Sequence, residues 1–361
     1  ILFLIIYISY STDKSINHSF YKDARKIVIP NKILPHNTHI VVIGAGITGL
    51  SSSYYLINRG FKVTLIESKN RVGGNNQEYI DTNGKSYPTT CIYARPIQQP
   101  HFNELCNELN IKQKYHDYSD SAVGLLYYKN MKIEIVYGQT FFSSIIMCLN
   151  KFSLYDNTLL LRILITLHQE FLKGDENKIT IKECLGDYLI ETDIFKDLIM
   201  GWVGINCWCR LRDINTFPAG IFASFIFEYA FPLTYRTKNV HDKVVVLDGE
   251  IINKLHKKLT NSNNFELILN KEVSKIYKNK DKYDIYFSDN KKRDNFDLVI
   301  CATQPKDALS IFNKSKNCEI NKSLINELNK WKKTMKCMTL VHNDKNLIEN
   351  YAFVQKRLFN K

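Results

Sequence analysis

Beyond its first few residues the chain has no apolar window approaching the ~20 residues that a membrane-spanning helix requires, so its body offers no transmembrane segment. It also lacks any CxxC pair: the nine cysteines are odd in number and most lie within apolar runs, as Cys301 does in Leu298–Ala302. Buried, reduced thiols in a cytosol-like compartment are the simplest account. The closest pair, Cys207-Trp208-Cys209, has no second pair of ligands to complete a tetrahedral zinc site, and its expected role is packing. No Ser/His/Asp set, paired carboxylates or metal spacing stands out. His342 ahead of Asp344 is the one tempting pair, and structural hydrogen bonding is its expected use.

The net charge of +13 lacks clustering. Its lysines are scattered, and runs such as Lys278–Lys282 and Asn290–Arg293 sit between apolar stretches, where solvated hairpin turns belong. A nucleic-acid partner is therefore not expected.

With 361 residues, 45% hydrophobic and 24% charged, the sequence has room for two substantial globular lobes. It starts at Ile rather than Met, and Ile1 to Ile8 form an apolar run. That run reads as the tail of a signal h-region, the end of an anchor, or the stump of a strand or helix, which leaves membrane association through the N-terminus open.

The chemistry begins at Ile40-Val41-Val42-Ile43, a β-branched run suited to a buried parallel strand, which leads into Gly44-Ala45-Gly46-Ile47-Thr48-Gly49. From Ile47 to Arg59 there is no proline, Leu50, Tyr54 and Ile57 recur at helical spacing, and Gly60 stands at a C-cap position. Phe61 to Ile66 reads as a second strand and ends at Glu67. Gly44 permits the tight turn, Gly46 lets backbone approach a pyrophosphate, and Gly49 lets the helix pack on the sheet. The anion would sit on the free N–H groups at the helix start. Glu67, eighteen residues after Gly49, is placed to accept hydrogen bonds from an adenosine ribose. Strand, glycines, helix, second strand and acid in this order predict a dinucleotide site.

Far downstream the β pattern returns. Val244 to Leu247 precedes an amphipathic stretch from Ile251 to Leu259, then come short strand-forming runs at Phe265–Asn270, Glu272–Ile276 and Tyr283–Phe287, and a buried strand from Phe296 to Thr303. Much of 140–200 reads as helical, with Leu159, Leu160, Ile163, Leu164 and Leu167 on one face and Gly174 ending the run. Residues 201–232 are dense in aromatics, most often core and otherwise an apolar tunnel.

Glu67-Ser68-Lys69-Asn70-Arg71-Val72-Gly73-Gly74 resembles the E-x-x-x-R-x-G-G extension of FAD enzymes of the amine oxidase superfamily. Within it, the stretches Gly204–Cys209, Thr216–Ala219, Ala302–Leu309 and Leu340–Asp344 look like the branch of predicted NAD/FAD-binding proteins associated with cyclopropane fatty acid synthases; the resemblance covers most of 38–350. It implies FAD as cofactor, Arg71 and Gly73-Gly74 along the pyrophosphate and ribityl chain, a backbone contact from Val273 to adenine, and Thr303 at the end of the returning strand near the cofactor. It further implies an α/β fold with a discontinuous Rossmann-type FAD-binding domain at 38–90 and 241–361, an α+β substrate domain at 91–240, and residues 1–37 as an extension.

Two departures stand out. Asn75 replaces the arginine usual after the glycine pair, and Pro88-Thr89-Thr90-Cys91 replaces an Asp-x-Gly that approaches the flavin. Complete members also carry a further C-terminal segment over the flavin, so truncation at Lys361 is expected. The implied activity is hydride transfer from a substrate C–H to the flavin, the substrate being an amine or a lipid acyl chain. Alternatives are a flavin-dependent isomerase or mutase, and an inactive flavin-binding accessory domain of a lipid-modifying system.

Overall fold

The computed structural model describes residues 34–76, 78–84, 86–88, 93–94, 100–112, 115–117, 122–128, 131–137, 152–173, 179–200, 215–223, 243–246, 250–318, 320, 322–330 and 353–357. The apolar start, Thr89–Cys91, Gly204–Cys209, most of the aromatic stretch, and His342 with Asp344 lie outside them.

In chain order the elements begin with β1 (His39–Ile43), α1 (Ile47–Asn58) and β2 (Lys62–Ile66), followed by β3 (Glu78–Ile80), β4 (Ser86–Pro88), β5 (Tyr93–Ala94) and α2 (Pro100–Glu108). Next come β6 (Tyr115–Asp117), β7 (Ala122–Tyr128), β8 (Met131–Tyr137), α3 (Leu154–Lys173), α4 (Ile181–Ile190) and a π-helical turn, Ile194–Ile199. The remainder comprises β9 (Lys243–Val246), α5 (Glu250–Thr260), β10 (Phe265–Ile268), β11 (Val273–Asn279), β12 (Lys282–Phe287), β13 (Lys292–Phe296), β14 (Leu298–Cys301), α6 (Pro305–Lys314), α7 (Lys322–Lys330) and β15 (Phe353–Arg357).

Two compact units result. One joins Ile29–Lys114 to Val245–Thr339; the other comprises Tyr115–Val244 with Ile1–Val28 and Leu340–Lys361. The first is built on a four-stranded parallel sheet of order β10-β2-β1-β14. β1 pairs on one side with β2, its neighbour in sequence, and on the other with β14 from far downstream, Val42 facing Leu65 and Ile300. The α/β class and the discontinuous chain path are thus as the sequence implies.

Strands buried on both faces explain the β-branched run, because Ile40, Val41 and Val42 are fully buried and point alternately to two cores. On one face Ile40, Val42, Val63 and Leu65 pack with Leu50 of α1, Leu105 and Cys106 of α2, and Ile251, Leu255 and Leu259 of α5. On the other, Val41, Ile43 and Ile66 pack with Val273, Ile276, Ile285, Phe287 and Phe296 of the β11-β12-β13 meander and Ile311 of α6. Each such side chain contributes about 1.5–3 kcal/mol by leaving water. The lysine-rich segments fall at the hairpins, where Lys280 and Asn290 adopt positive φ, although Lys292 and Arg293 continue into β13.

The expected lobe boundary at residue 91 needs correction. α2 belongs to the sheet unit because Leu105, Cys106 and Leu109 bury in its core. The assignment of the chain to 361 to the cofactor domain also fails, because β15 pairs antiparallel with β7 in the other unit.

At the N-terminal edge of the parallel sheet the His39 N–H donates to Asp297 Oδ2 at 2.8 Å, and Lys282 pairs with the same carboxylate. The His39 N–H, then the lysine, hold the Asp297 carboxyl below its ordinary range. This clasp ties the start of β14 to β1 at the end of the sheet away from the glycine turn.

In the second unit β7 and β8 form an antiparallel hairpin with β15 on the outer side of β7. Leu159, Leu160, Ile163, Leu164 and Leu167 of α3 are all buried, as their spacing predicts. α4 starts with a capping box between Thr180 and Glu183. Cys184, Cys301 and Cys318 are free thiols, and burial followed by the Glu170 charge pushes the Cys184 thiol up to about 11. Among the described residues, no helix is long and apolar enough to cross a membrane.

Candidate dinucleotide site

In an open parallel sheet, ligands bind beyond the strand C-termini where neighbouring strands lead away in opposite directions. Here that point lies between β1 and β14. The Ala302 N–H donates to Ile43 O and the Gly44 N–H to Ile66 O, both at 2.8 Å, so the ends of β14, β1 and β2 are drawn together. Gly44 turns at φ +99°, and a Cβ there would lie 2.9 Å from Ala302 O and 3.3 Å from the Thr303 methyl. Thr303 is thereby placed against the turn; its hydroxyl is 3.3 Å from Cys301 Sγ.

α1 starts with Gly46 as N-cap. It has no side-chain capping bond and no acid in its first turn, where Thr48 is exposed. Backbone N–H groups at such an end, with the helix dipole behind them, favour an anion. Gly49 and Gly46 divide the work. A Cβ on Gly49 would fall 1.8 Å from Gly44 O, so this glycine lets the helix cross the strand end. A Cβ on Gly46 would meet nothing within 4 Å. The space beside Gly46 is open, as a site for a pyrophosphate requires.

The second glycine pair closes onto the first. The Gly73 N–H donates to Ala45 O at 2.8 Å, and the Asn76 N–H returns to Gly73 O at 2.9 Å. Gly74 adopts φ +58°, and a Cβ there would approach the Gly46 Cα to 3.0 Å. The backbone of one loop thus lies directly on the backbone of the other.

Glu67 joins the same cluster at the end of β2. It is 8% exposed, and its carboxylate accepts from the Ala45 N–H at 2.8 Å, the Lys69 N–H at 2.9 Å and the Ser68 hydroxyl at 3.0 Å. The expected ribose acceptor is therefore also a staple between β2 and the glycine turn, and the Ala45 N–H is committed to it.

Arg71, expected along the phosphates, also has partners within its own loop. Its guanidinium donates to Val72 O and Gly74 O, each at 3.3 Å, and so braces its own loop. The reason is local: Gly73 and Gly74, both at positive φ, turn backbone carbonyls within the arginine's reach. Val273 opens β11, with its side chain buried in the core, just after Lys271, whose N–H bonds Glu67 O at 2.9 Å. Gly44, Gly46, Gly49, Glu67, Arg71, Gly73, Gly74 and Thr303 are thus brought into one cluster, with Val273 one strand beyond it.

Two residues escaped the sequence reading. Ile252 of α5 packs where a Cβ on Gly73 would sit, 3.3 Å away, which the helical face of 251, 252, 255 and 259 hinted at. Asn76, whose Oδ1 is buried without a hydrogen-bond partner, carried no pattern that singled it out. Among the described residues, no group of three or more His, Cys, Asp or Glu is placed to hold a metal.

Comparison with known proteins agrees with this geometry. The family described as NAD(P)-binding Rossmann-like domain matches residues 42–109. An L-amino-acid oxidase from Siganus canaliculatus is 39% identical over 82 residues, 22% of this chain and 16% of that protein. One from Bungarus fasciatus is 51% identical over 43 residues, 12% of this chain and 8% of the oxidase. Among solved structures, putrescine oxidase bound to putrescine superposes with a TM-score of 0.59 at 13% identity, over 81% of this chain and 63% of its own. A CLA-producing fatty acid isomerase from P. acnes gives a TM-score of 0.51 at 14% identity, over 82% and 65%. The chain thus spans less than two thirds of the proteins it resembles. It has the mixed α/β fold of these structures, built on an NAD(P)-binding Rossmann-like domain.

Proposed function

We propose that this chain is the dinucleotide-holding part of an FAD-dependent oxidoreductase of the amine-oxidase type, acting on an amine or amino-acid substrate. The observation that carries the reading is the open space beside Gly46, whose Cα lies against Gly74, at the uncapped start of α1. Support for FAD over a nicotinamide cofactor comes from the stretch 67–74, which folds back onto the first glycine turn, and from the likeness to L-amino-acid oxidases. FAD, when bound, supplies the two-electron acceptor that takes a hydride from a substrate C–H.

The chain's own residues hold and orient. The start of α1 meets the diphosphate with backbone N–H groups, and Gly46 keeps that approach free of a side chain. Glu67 offers the remaining lone pair of Oε2 to a ribose hydroxyl while it fixes Ala45, Ser68 and Lys69. Arg71 keeps the Gly73–Gly74 turn pressed against Gly46, and Thr303 flanks the opening from β14.

A second reading, flavin-dependent isomerisation of a lipid acyl chain, is favoured by the likeness to the fatty acid isomerase. It differs in showing no net redox turnover.

The test is the absorbance spectrum of the purified chain, before and after heat release of bound ligand, beside a Gly46→Ala, Glu67→Ala double variant. Flavin bands with FAD in the released fraction, absent from the variant, are expected. A colourless protein that added FAD cannot reconstitute would sink the reading.

A further inference from the structure

We infer that Asn76 is a ligand-binding residue, and that its side-chain oxygen accepts a hydrogen bond from a hydroxyl of the bound dinucleotide. This rests on the FAD reading above. Asn76 Oδ1 is buried and has no hydrogen-bond partner. Buried polar atoms are almost always paired, and leaving one unpaired disfavours the state that does so. Such an atom points to a partner from outside the chain.

Its place in the fold points to which partner. Asn76 closes the turn that starts at Gly73, its N–H on Gly73 O at 2.9 Å, while the Gly73 N–H holds Ala45 O. Gly74, inside the same turn, lies against the Cα of Gly46. Asn76 is therefore part of the loop that lies against the first glycine turn at Gly46.

Chemistry then narrows the group. A carboxamide oxygen only accepts, and diphosphate oxygens at neutral pH only accept as well, so the diphosphate is not its partner. FAD is rich in hydroxyls on both sides of the diphosphate, in the ribityl chain and in the adenosine ribose. A hydroxyl donates to Asn76 and can accept from a backbone N–H at the same time.

A residue of this kind has a double signature that a structural one lacks. Removing the unpaired oxygen relieves the free chain and weakens the complex. The experiment compares the full chain with Asn76→Ala and Asn76→Leu, by thermal unfolding without ligand and by titration with FAD and with ADP-ribose. Both variants should unfold at the wild-type temperature or above it, and bind FAD about tenfold more weakly. Loss for FAD alone assigns the ribityl hydroxyls; equal loss for ADP-ribose assigns a ribose hydroxyl on one side of the diphosphate or the other. Unchanged FAD affinity, or a lower unfolding temperature in both variants, would overturn the inference. A wild-type chain that binds no FAD would instead remove the cofactor reading itself, so the two failures are distinguishable.

Discussion

The two units differ in what holds them together, and that difference governs how much each reveals. In the parallel-sheet unit several positions admit only a small residue, because backbone meets backbone at Gly44 and Ala302, at Gly49 and Gly44, and at Gly74 and Gly46. In the helical unit the fixed positions are large and apolar, such as Ile163 and Leu167 of α3 and Phe195 against Phe222. Close backbone approach ties residue identity to geometry and hence to ligand chemistry. Side-chain packing ties it only to volume, and many proteins of unrelated activity share such packing.

The sharpest way to test that contrast lies inside one motif. Gly49→Ala places a methyl group 1.8 Å from Gly44 O and should cost about 3 kcal/mol or more, seen as lost soluble yield or a large drop in unfolding temperature. Gly46→Ala places its methyl in open space at φ −71°, and should leave stability within about 0.5 kcal/mol while FAD affinity falls more than about tenfold. Equal stability losses in the two variants would show that the space beside Gly46 is not a ligand cradle.

The helical unit should respond in the opposite sense. Leu167 is fully buried on α3, and Leu167→Ala should lower stability by about 3 kcal/mol through lost burial and the cavity left behind. Affinity for FAD at a temperature where the variant remains folded should stay at the wild-type value. A parallel loss of affinity would mean that the two units are not energetically separate.

Glu67→Gln sits between these extremes. The amide keeps one acceptor oxygen but turns an NH2 toward a backbone N–H, either that of Ala45 or that of Lys69. One N–H is left unpaired, at about 1–3 kcal/mol where it is the buried Ala45 N–H and less where it is that of the exposed Lys69. Chemical denaturation in the absence of FAD checks this, because a purely ligand-facing carboxylate would show no change there.

How far the sequence could be read follows the same division. The turn at 44–49, the acid at 67 and the return of β14 beside β1 were legible because periodicity and glycine spacing report backbone geometry. The place of α2 was not, since Leu105, Cys106 and Leu109 make an ordinary amphipathic face that fits either unit equally well. The carbonyl contacts of Arg71 were not legible for a related reason. A guanidinium beside a glycine-rich loop suits phosphate oxygens and backbone carbonyls alike, and only the positive φ at Gly73 and Gly74 decides which lie in reach. Asn76 had no signal, because whether an oxygen is buried unpaired depends on the folded loop and not on its neighbours in sequence.

The smallest predicted effect belongs to the helical unit and carries a pH dependence. Thr180 caps α4: its hydroxyl accepts from the Glu183 N–H at 3.2 Å, and its own N–H donates to Glu183 Oε2 at 2.7 Å. Thr180→Ala should cost about 1 kcal/mol at neutral pH. The Thr180 backbone N–H, and then its hydroxyl, hold the Glu183 carboxyl below its ordinary value of 4.5. A carboxylate whose folded value is lowered stabilises fully above its unfolded value and loses that contribution as pH falls through the folded one. The gap between wild type and variant should therefore be full at pH 7, narrow below about pH 4.5, and be smaller still near pH 3, as followed by thermal unfolding. A gap that stays constant across that range would show that the Thr180 hydroxyl adds nothing to holding the Glu183 carboxylate, because the backbone N–H that also holds it survives the substitution.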